Sequence, residues 1–325
     1  MSTTTSTTTT TTTTTMMDSS IDYFEGLQDR ICDALAQIEG TSFREDTWKR
    51  DGGGGGRSRV LMGGKVFEKA GVNFSDVHGE LRPDFSGSLP GEGKSFRATG
   101  ISLVIHPCNP YVPTVHANFR RIERGSVGWF GGGSDLTPCY VFADDATHFH
   151  RTLKTACESA GGAGSYDRYK AWCDRYFFIA HRNEPRGIGG VFFDYLGAGA
   201  ETAMRETGLA PAAFEANPES TFAFVKQVGD AFLQAYVPIV NKHKDDAFGE
   251  KERSWQLHRR GRYVEFNLVY DRGTVFGLRT DGRVESILMS LPPTVTWEYN
   301  YAPPVGSAEA RSVEQIISRR NWAES

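Results

Sequence analysis

The segment Val104–Arg120 constrains the fold of this chain more than any other part of the sequence. Its letters, VIHPCNPYVPTVHANFR, predict two short strands joined by a proline-rich loop. Because side chains alternate along a strand, one face of the pair carries polar groups and the opposite face carries Ile101, Leu103 and Ile105. We call the first of these the polar face; its residues here are Ser102, Val104, His106, His116, Asn118 and Arg120.

The composition of the polar face differs from that of an ordinary water-facing sheet, which favours Thr, Lys and Glu. Ser and Asn donate and accept hydrogen bonds in fixed directions. His titrates near neutrality, and Arg binds carboxylates through its planar guanidinium group. The pattern is typical of a pocket for an anionic ligand. A solvated sheet face that happens to be rich in histidine is the alternative that these residues leave open.

The overall composition is globular and gives no electrostatic case for binding nucleic acid. The chain has 325 residues, of which 39% are hydrophobic, and its formal net charge is -4. An anionic ligand must therefore be met by a local group of arginines. Five cysteines at scattered spacings, with no CxxC motif, suggest neither a disulfide framework nor a zinc site. They favour a reducing compartment, and cytoplasm is the default.

Residues 1–17 are almost wholly serine and threonine and close with Met16 and Met17. Such a tract cannot bury apolar surface, so we expect a disordered, dispensable tail and a catalytic domain over residues 18–325. Lys and Arg are absent before Arg30, which argues against a secretory signal and against an Arg-rich transit peptide. We find no apolar run long enough to span a bilayer.

Apolar periodicity predicts a first helix from a cap at Ser20 to Gly40. Further helices are predicted over residues 143–160, 166–181 and 221–240, and strands over residues 43–50, 58–62 and 188–195. The glycines at 52–56 are predicted to form a mobile loop, and Phe130–Leu136 is predicted to be a glycine-rich turn, either an anion nest or a plain loop.

The segment Tyr263–Met289 has the clearest β pattern. Two strands are predicted to flank a hairpin turn at residues 280–283, where Asp-Gly is a strong marker. Along the preceding strand Glu265, Asn267 and Asp271 would share a face. Strands adjacent in sequence, with helices inserted in blocks, favour a single α+β domain with a large antiparallel sheet.

Four segments together resemble the oxygen-dependent coproporphyrinogen-III oxidase family. They are GISLVIHPCNPYVPTVHANFR, FGGGSDLTPCY, HRNEPRGIGGVFFDYL and YVEFNLVYDRGTVFGLRTDGRVESILMSLPP. The resemblance runs from about Tyr23 to Trp322. It implies a homodimer whose subunits have a flat, mainly antiparallel β-sheet flanked by α-helices on both faces. It also implies that the region from Tyr263 to Tyr299 contributes to the dimer interface.

The reaction that the resemblance implies belongs to haem biosynthesis. It is oxidative decarboxylation of the ring A and ring B propionates of coproporphyrinogen III to vinyl groups, which gives protoporphyrinogen IX. O2 is the electron acceptor, and no organic cofactor is needed because the electron-rich pyrrole supplies the electrons. Several arginines in the motifs suit the four propionates of the substrate: Arg120, Arg182, Arg186, Arg272 and Arg283.

The resemblance also implies roles for single residues. His116 matches a proton donor, and Asp271 matches a carboxylate that contacts the pyrrole NH groups, while Arg272 either holds a propionate or tunes Asp271. Substrate-binding positions are Ser102, Asn118, Phe119, Arg120, Asp281, Gly282 and Arg283. Because the family turn can be Gly-Gly-Arg, backbone amides are the expected contacts at position 281.

A metal is the main alternative to metal-free catalysis. The four residues His106, His116, His150 and His181 match histidines assigned to a metal in some bacterial relatives. Imidazoles suit Mn, Fe or Cu, but these four have no local ligand spacing, so a divalent metal such as Mn is not favoured. Two rival functions follow: a metal-dependent oxygenase, and a non-catalytic tetrapyrrole carrier that binds porphyrin without producing peroxide.

Overall fold

The computed structural model describes residues 14–81, 89–197, 217–279 and 282–324. Within these ranges, seven strands form one antiparallel sheet. The first six strands pair in chain order, and the seventh pairs with the sixth. In sheet order they are β1 Arg44–Lys49, β2 Gly54–Met62, β3 Phe67–Glu80, β4 Ser95–Pro107, β5 Thr114–Arg124, β6 Val127–Thr137 and β9 Gly189–Leu196. A separate pair consists of β7 Phe178–Ile179 and β8 Glu184–Pro185. The predicted α+β class is confirmed.

The helices precede the sheet, interrupt it before β9 and follow it. They are α1 Met16–Glu39, α2 Ala143–Gly161, α3 Ser165–Tyr176, α4 Pro218–His243, α5 Glu250–Val269, α6 Arg272–Arg279, α7 Val284–Leu288 and α8 Ala308–Ile317, with 3₁₀ turns at Ala180–Arg182 and Trp322–Glu324. In the part of the chain that the structure describes, no helix is long and apolar enough to cross a membrane. The helices predicted over 143–160 and 221–240 and the strand over 188–195 are confirmed.

One face of the sheet forms the hydrophobic core. Ile101, Leu103 and Ile105 of β4 and Phe119 of β5 are buried there, and α1 and α4 pack over them. Burial of each such side chain contributes roughly 1.5–3 kcal/mol. The alternation predicted for β4 and β5 therefore places their apolar residues against the helices and leaves the polar face on the other side.

Helix α1 starts earlier than predicted. Thr15 is its cap: the Thr15 hydroxyl accepts the N–H of Asp18, and the Asp18 carboxylate accepts the N–H of Thr15. Ser20, the predicted cap, is buried within the helix and donates to the Met16 carbonyl. Because Met17 is only 2% exposed, the predicted domain boundary after residue 17 falls inside the first turn of α1. The rest of the predicted tail, residues 1–13, lies outside the described residues.

The strands predicted over Tyr263–Met289 are wrong, because this segment is helical. Tyr263–Val269 completes α5, and α6 and α7 follow. Tyr263, Phe266 and Asn267 are buried at helical spacing. A short run rich in aromatic and β-branched residues fits both periodicities, so tertiary packing decides. Two residues of the predicted turn, 280 and 281, lie outside the described residues.

The glycine-rich turn predicted at Phe130–Leu136 is also wrong, because these residues belong to β6. The glycines allow close approach of neighbouring groups. A Cβ on Gly132 would lie 2.6 Å from the Asn118 carbonyl oxygen. In the same way, three glycines of the predicted loop at 52–56 belong to β2, where Trp48 packs across Gly56. The helix predicted over 166–181 ends at Tyr176, where the β7–β8 pair begins.

The first turn of α1 is expected to contribute to stability. Thr15→Ala removes the cap, which is worth about 1 kcal/mol, and Met17→Ala removes most of a buried side chain, at roughly 2–5 kcal/mol. We expect the double variant to unfold at a lower urea concentration, followed by circular dichroism. Deletion of residues 1–13 is the control and should leave the midpoint unchanged. Equal midpoints for all three proteins would contradict the prediction.

Candidate active site

The polar face lies beneath the chain that runs from α5 to α7. In register across the strands, Asn73 pairs with Ser102 and Ser102 pairs with Asn118, so the predicted arrangement of the two strands is confirmed. The Asn73 amide donates to the Ser286 carbonyl at 2.6 Å, and the Lys69 ammonium donates to the Leu291 carbonyl at 2.8 Å. These contacts place α7 and the residues after it over β3.

Several positions on the polar face are glycines, which have no side chain. Gly71 and Gly100 lie beside Val104 and Arg120 in the register of β3–β5, and Gly131 and Gly133 continue the pattern on β6. A Cβ on Gly71 would lie 1.8 Å from the Met289 sulfur. These glycines therefore allow close approach of neighbouring groups: Met289 lies over Gly71, and Asp194 and Arg120 lie over Gly131.

His116 belongs to a buried charge cluster with Asp135 and Arg186. Its Nδ1 lies 2.8 Å from an Asp135 carboxylate oxygen, and Arg186 Nη2 donates to both oxygens of Asp135 at 2.9 and 2.7 Å. Burial alone would raise the pKa of Asp135, but Arg186 and His116 lower it below its usual value. The ionised carboxylate can accept Nδ1–H, which orients the His116 ring and directs Nε2 away from the pair.

Arg186 contacts three aromatic rings and Asn267 in addition to the Asp135 carboxylate. Its guanidinium carbon lies 4.1 Å from the ring centre of Phe177, 4.7 Å from that of Tyr263 and 4.8 Å from that of Phe266. Its Nη1 donates to the Asn267 side-chain oxygen at 2.9 Å. The arginine therefore joins α5 to the sheet and anchors the His116 end of the site.

Two further arginines share one carboxylate on the polar face. Arg120 Nη2 lies 2.5 Å from an oxygen of Asp194, and Arg120 Nη1 donates to the Asn118 side-chain oxygen at 2.8 Å. Arg272 Nη2 lies 3.9 Å from the same Asp194 oxygen, and its guanidinium lies 5.1 Å from the ring centre of Tyr176. These cations are placed to bind a carboxylate by charge-assisted hydrogen bonds.

Asp271 begins α6 beside these arginines. One oxygen accepts the Tyr176 hydroxyl at 3.0 Å, and the other accepts the N–H and the hydroxyl of Thr274, both at 2.8 Å. Burial and the nearby Asp271 charge raise the pKa of Tyr176, so this hydroxyl stays protonated and donates. Here Asp271 acts as the helix cap.

Arg283 lies at the opposite end of the polar face. It pairs with Asp46 of β1, over the Trp48 ring. Asp46 and Asn118 are in one row of the sheet, four strand spacings apart, which is about 19 Å. The predicted substrate-binding residues Arg120 and Arg283 therefore mark two ends of one long floor.

Three other predicted substrate-binding residues are Phe119, Gly282 and Asp281. Phe119 is buried in the hydrophobic core on the other face, so its side chain does not line the site. Gly282 donates its N–H to the Gly277 carbonyl at 2.9 Å. Asp281 lies outside the described residues.

The four histidines of the tentative metal site do not form one. His106 bonds to the Ser290 carbonyl and the Thr114 hydroxyl, and His150 bonds to the Tyr166 hydroxyl and the Ile188 carbonyl. Burial lowers the pKa of each to about 3. His181 contacts Tyr270 and Glu265 instead. Among the described residues, no group of three or more His, Cys, Asp or Glu side chains is placed to hold a metal ion.

Asp135, Asp194, Tyr176 and Asn73 were missed by the sequence analysis as site residues. A period of two was present in β6, where Gly131, Gly133 and Asp135 alternate, but the glycines favoured a turn instead. Asn73 has a buried side-chain oxygen with no hydrogen-bond partner among the described residues, and this acceptor lies beside Ser102.

Comparisons with known proteins agree with the resemblance. A family model described as coproporphyrinogen III oxidase matches residues 19–322. A curated protein of Prochlorococcus marinus (strain MIT 9313), named oxygen-dependent coproporphyrinogen-III oxidase, is 51% identical over 314 residues. The match covers 92% of this chain and 88% of that relative.

His150→Gln is expected to make stability less sensitive to acid. A histidine with a pKa of 6.5 when unfolded and about 3 when folded binds its proton only in the unfolded state between these values, so stability is lost as the pH falls through this window. At pH 5 the loss is about 2 kcal/mol relative to pH 8. Urea unfolding at both pH values should show a difference smaller by that amount in the variant. An unchanged difference would be evidence against a neutral, buried His150.

Proposed function

The chain belongs to the coproporphyrinogen III oxidase family, and from that premise we propose that it converts coproporphyrinogen III to protoporphyrinogen IX in haem biosynthesis. Each reacting propionate, –CH₂CH₂COOH, combines with O2 to give –CH=CH₂, CO2 and H2O2. O2 is the co-substrate and accepts two electrons from the substrate each time. The propionates on rings A and B react in this way.

The observation that carries the proposal is the long polar face with arginines at both ends. Asp46, the partner of Arg283, lies about 19 Å from Asn118 along one row of the sheet. Arg120 contacts Asn118, and Arg272 shares Asp194 with Arg120. A flat tetrapyrrole with propionates on its rim needs a broad floor and separated cations. Arginine forks orient such carboxylates and select which one reaches the reacting position.

His116 is the proposed proton donor. The Asp135 carboxylate fixes its Nδ1–H, and Arg186 holds that carboxylate from the other side. Orientation by a buried acid leaves Nε2 directed away from the pair, as a general acid or base requires.

Asp271 is proposed to meet the pyrrole NH groups. A carboxylate has about four lone-pair sites, so it can hold Tyr176 and Thr274 and still accept from a ligand. Its negative charge stabilises positive charge that develops on the ring. Arg272, beside both Asp271 and Asp194, is proposed to hold a propionate.

The test uses purified protein stripped of metal by a chelator. With coproporphyrinogen III we expect uptake of two O2 for each protoporphyrinogen IX formed, measured with an oxygen electrode and by porphyrin fluorescence after oxidation of the products. Activity that disappears on chelation and returns with Mn would support the metal-dependent oxygenase. Binding of the porphyrin without oxygen uptake would support the carrier.

His116→Gln is expected to lower kcat by about 10²–10⁴-fold, the usual contribution of general acid–base catalysis, with a smaller change in KM. Asp271→Ala should also lower turnover more than binding, by roughly 2.7–4 kcal/mol of transition-state stabilisation. Both variants are measured in the oxygen-uptake assay after circular dichroism shows that they are folded. Wild-type turnover in either variant would remove that residue from the mechanism.

We also propose a cytoplasmic homodimer. The thiols of Cys32, Cys108, Cys139, Cys157 and Cys173 are free, which fits a reducing compartment. Large apolar side chains are exposed in the region from Tyr263 to Tyr299, at Leu268, Val269, Leu278, Val284 and Trp297. Apolar exposure of this kind is typical of a surface that a partner covers.

Val269→Asp is expected to convert the dimer to monomer. Val269 is 58% exposed in one subunit, so the substitution is tolerated by the isolated fold but buries a charge in the proposed interface. Light scattering measures the mass. The matched control is Ile317→Asp, which changes an apolar residue that is 49% exposed on α8 and should remain dimeric. A dimeric Val269→Asp protein would place the interface elsewhere.

A further inference from the structure

A β-bulge near the end of β9 holds Asp194 opposite Gly131. Pairing with β6 is regular up to Gly132 and Phe193 and then shifts to Phe130 and Leu196, so Asp194 and Tyr195 together face one residue of β6. Tyr195 has a φ of 56°, in the left-handed region that costs a non-glycine residue about 1–3 kcal/mol. The Asp194 carboxylate accepts the Tyr195 N–H at 2.9 Å. Bulges commonly aim a side chain at a site.

Gly131 makes room for this carboxylate. A Cβ at position 131 would lie 2.4 Å from an Asp194 oxygen and 2.9 Å from the guanidinium of Arg120. Alanine would therefore displace one or both of these groups. The bulge and the glycine lie on different strands and serve the same contact.

Asp194 lies beneath the two arginines. Its side chain is only 6% exposed, whereas those of Arg120 and Arg272 are 28% and 45% exposed. The acid anchors the inner ends of the guanidinium groups, and an arginine has five N–H donors, so each can still donate outward. Asn118 fixes the second nitrogen of Arg120 at 2.8 Å, which sets the direction of its fork.

The charge of this group matches one carboxylate. Arg120, Arg272 and Asp194 together carry a single net positive charge, which one propionate neutralises, whereas the neighbouring Asp271 is assigned to the pyrrole NH groups. Without Asp194 the two cations would repel each other and the site would carry charge for two carboxylates.

We infer that Asp194 is a positioning residue that aligns Arg120 and Arg272 as a clamp for one propionate of the substrate. The inference rests on the proposed function and deepens it. Asp194 does not touch the reacting atoms: it acts through the arginines and determines which propionate is held away from the reacting position and in what orientation.

The test compares Asp194→Asn with the wild-type protein in the oxygen-uptake assay. The amide keeps the size and one acceptor but removes the charge. We expect kcat to fall about 10- to 100-fold, the cost of a misplaced substrate, while KM stays the same or falls because the site gains a net positive charge. The product that carries one vinyl group and three propionates should accumulate. Gly131→Ala, which displaces the carboxylate sterically, should change kcat and the product ratio in the same direction.

Two further variants control for charge and for folding. Asp194→Glu keeps the charge but moves it outward, so it should rescue kcat only in part. Asp76→Asn breaks a comparable strand-to-strand pair with Arg97, whose nitrogens lie 3.0 and 2.8 Å from the carboxylate on the other face of the sheet. It should leave kcat, KM and the product ratio unchanged.

A second measurement does not depend on turnover. Binding of oxidised coproporphyrin III, followed by fluorescence quenching, should weaken more steeply with salt in Asp194→Asn, because one more cation faces the ligand. Wild-type kcat and product ratio in Asp194→Asn, a raised KM alone, or an unchanged salt dependence would overturn the clamp. Lack of oxygen uptake by the wild-type protein would contradict the proposed function instead, and the binding data would still decide on the clamp.

Discussion

The buried ion pair between Asp135 and Arg186 is the contact on which the rest of the site depends. Both side chains are 2% exposed, and removing one partner from such a pair typically costs about 3–5 kcal/mol because the other charge stays buried. The pair joins β6 to the segment after β8, and Arg186 continues to Asn267 on α5. His116 and Asp135 pair directly across β5 and β6. Packing of α5 on the sheet adds the Arg186 contact, which lowers the pKa of Asp135 and so keeps the partner of the proposed proton donor ionised.

The two faces of the sheet have different roles: one packs in the hydrophobic core and the other carries the polar residues of the candidate site. Alternation along β4 and β5 places apolar side chains under α1 and α4, where burial stabilises the domain, and leaves the polar face to α5–α7. Glycines at Gly71, Gly131 and Gly133 allow Met289, the Arg120–Asp194 pair and the backbone of β9 to approach that face closely.

The sequence predicts most of this where the information is local, and fails where it is not. Alternation in β4 and β5 identified the polar face with His116, Asn118 and Arg120. The glycines of β6 favoured a turn because their reason, contact with Asn118 and with Asp194 on a distant strand, is invisible locally. The run before Asp271 fits a strand as well as a helix, and packing of Tyr263 and Phe266 decides. In a tract of serine and threonine many positions qualify as a cap, so Thr15 was not distinguishable.

Every arginine proposed to hold a propionate is already paired with an acid from a strand of the sheet. Arg283 pairs with Asp46, and Arg120 and Arg272 pair with Asp194. Pairing keeps the cations in place without ligand, since unpaired charges would turn toward water, and it fixes each donor fork before the substrate arrives. It also reconciles a chain of net charge -4 with a substrate that carries four carboxylates. Recognition is local, because each acid leaves its arginine with outward donors, whereas the net negative charge of the whole molecule disfavours an anionic ligand.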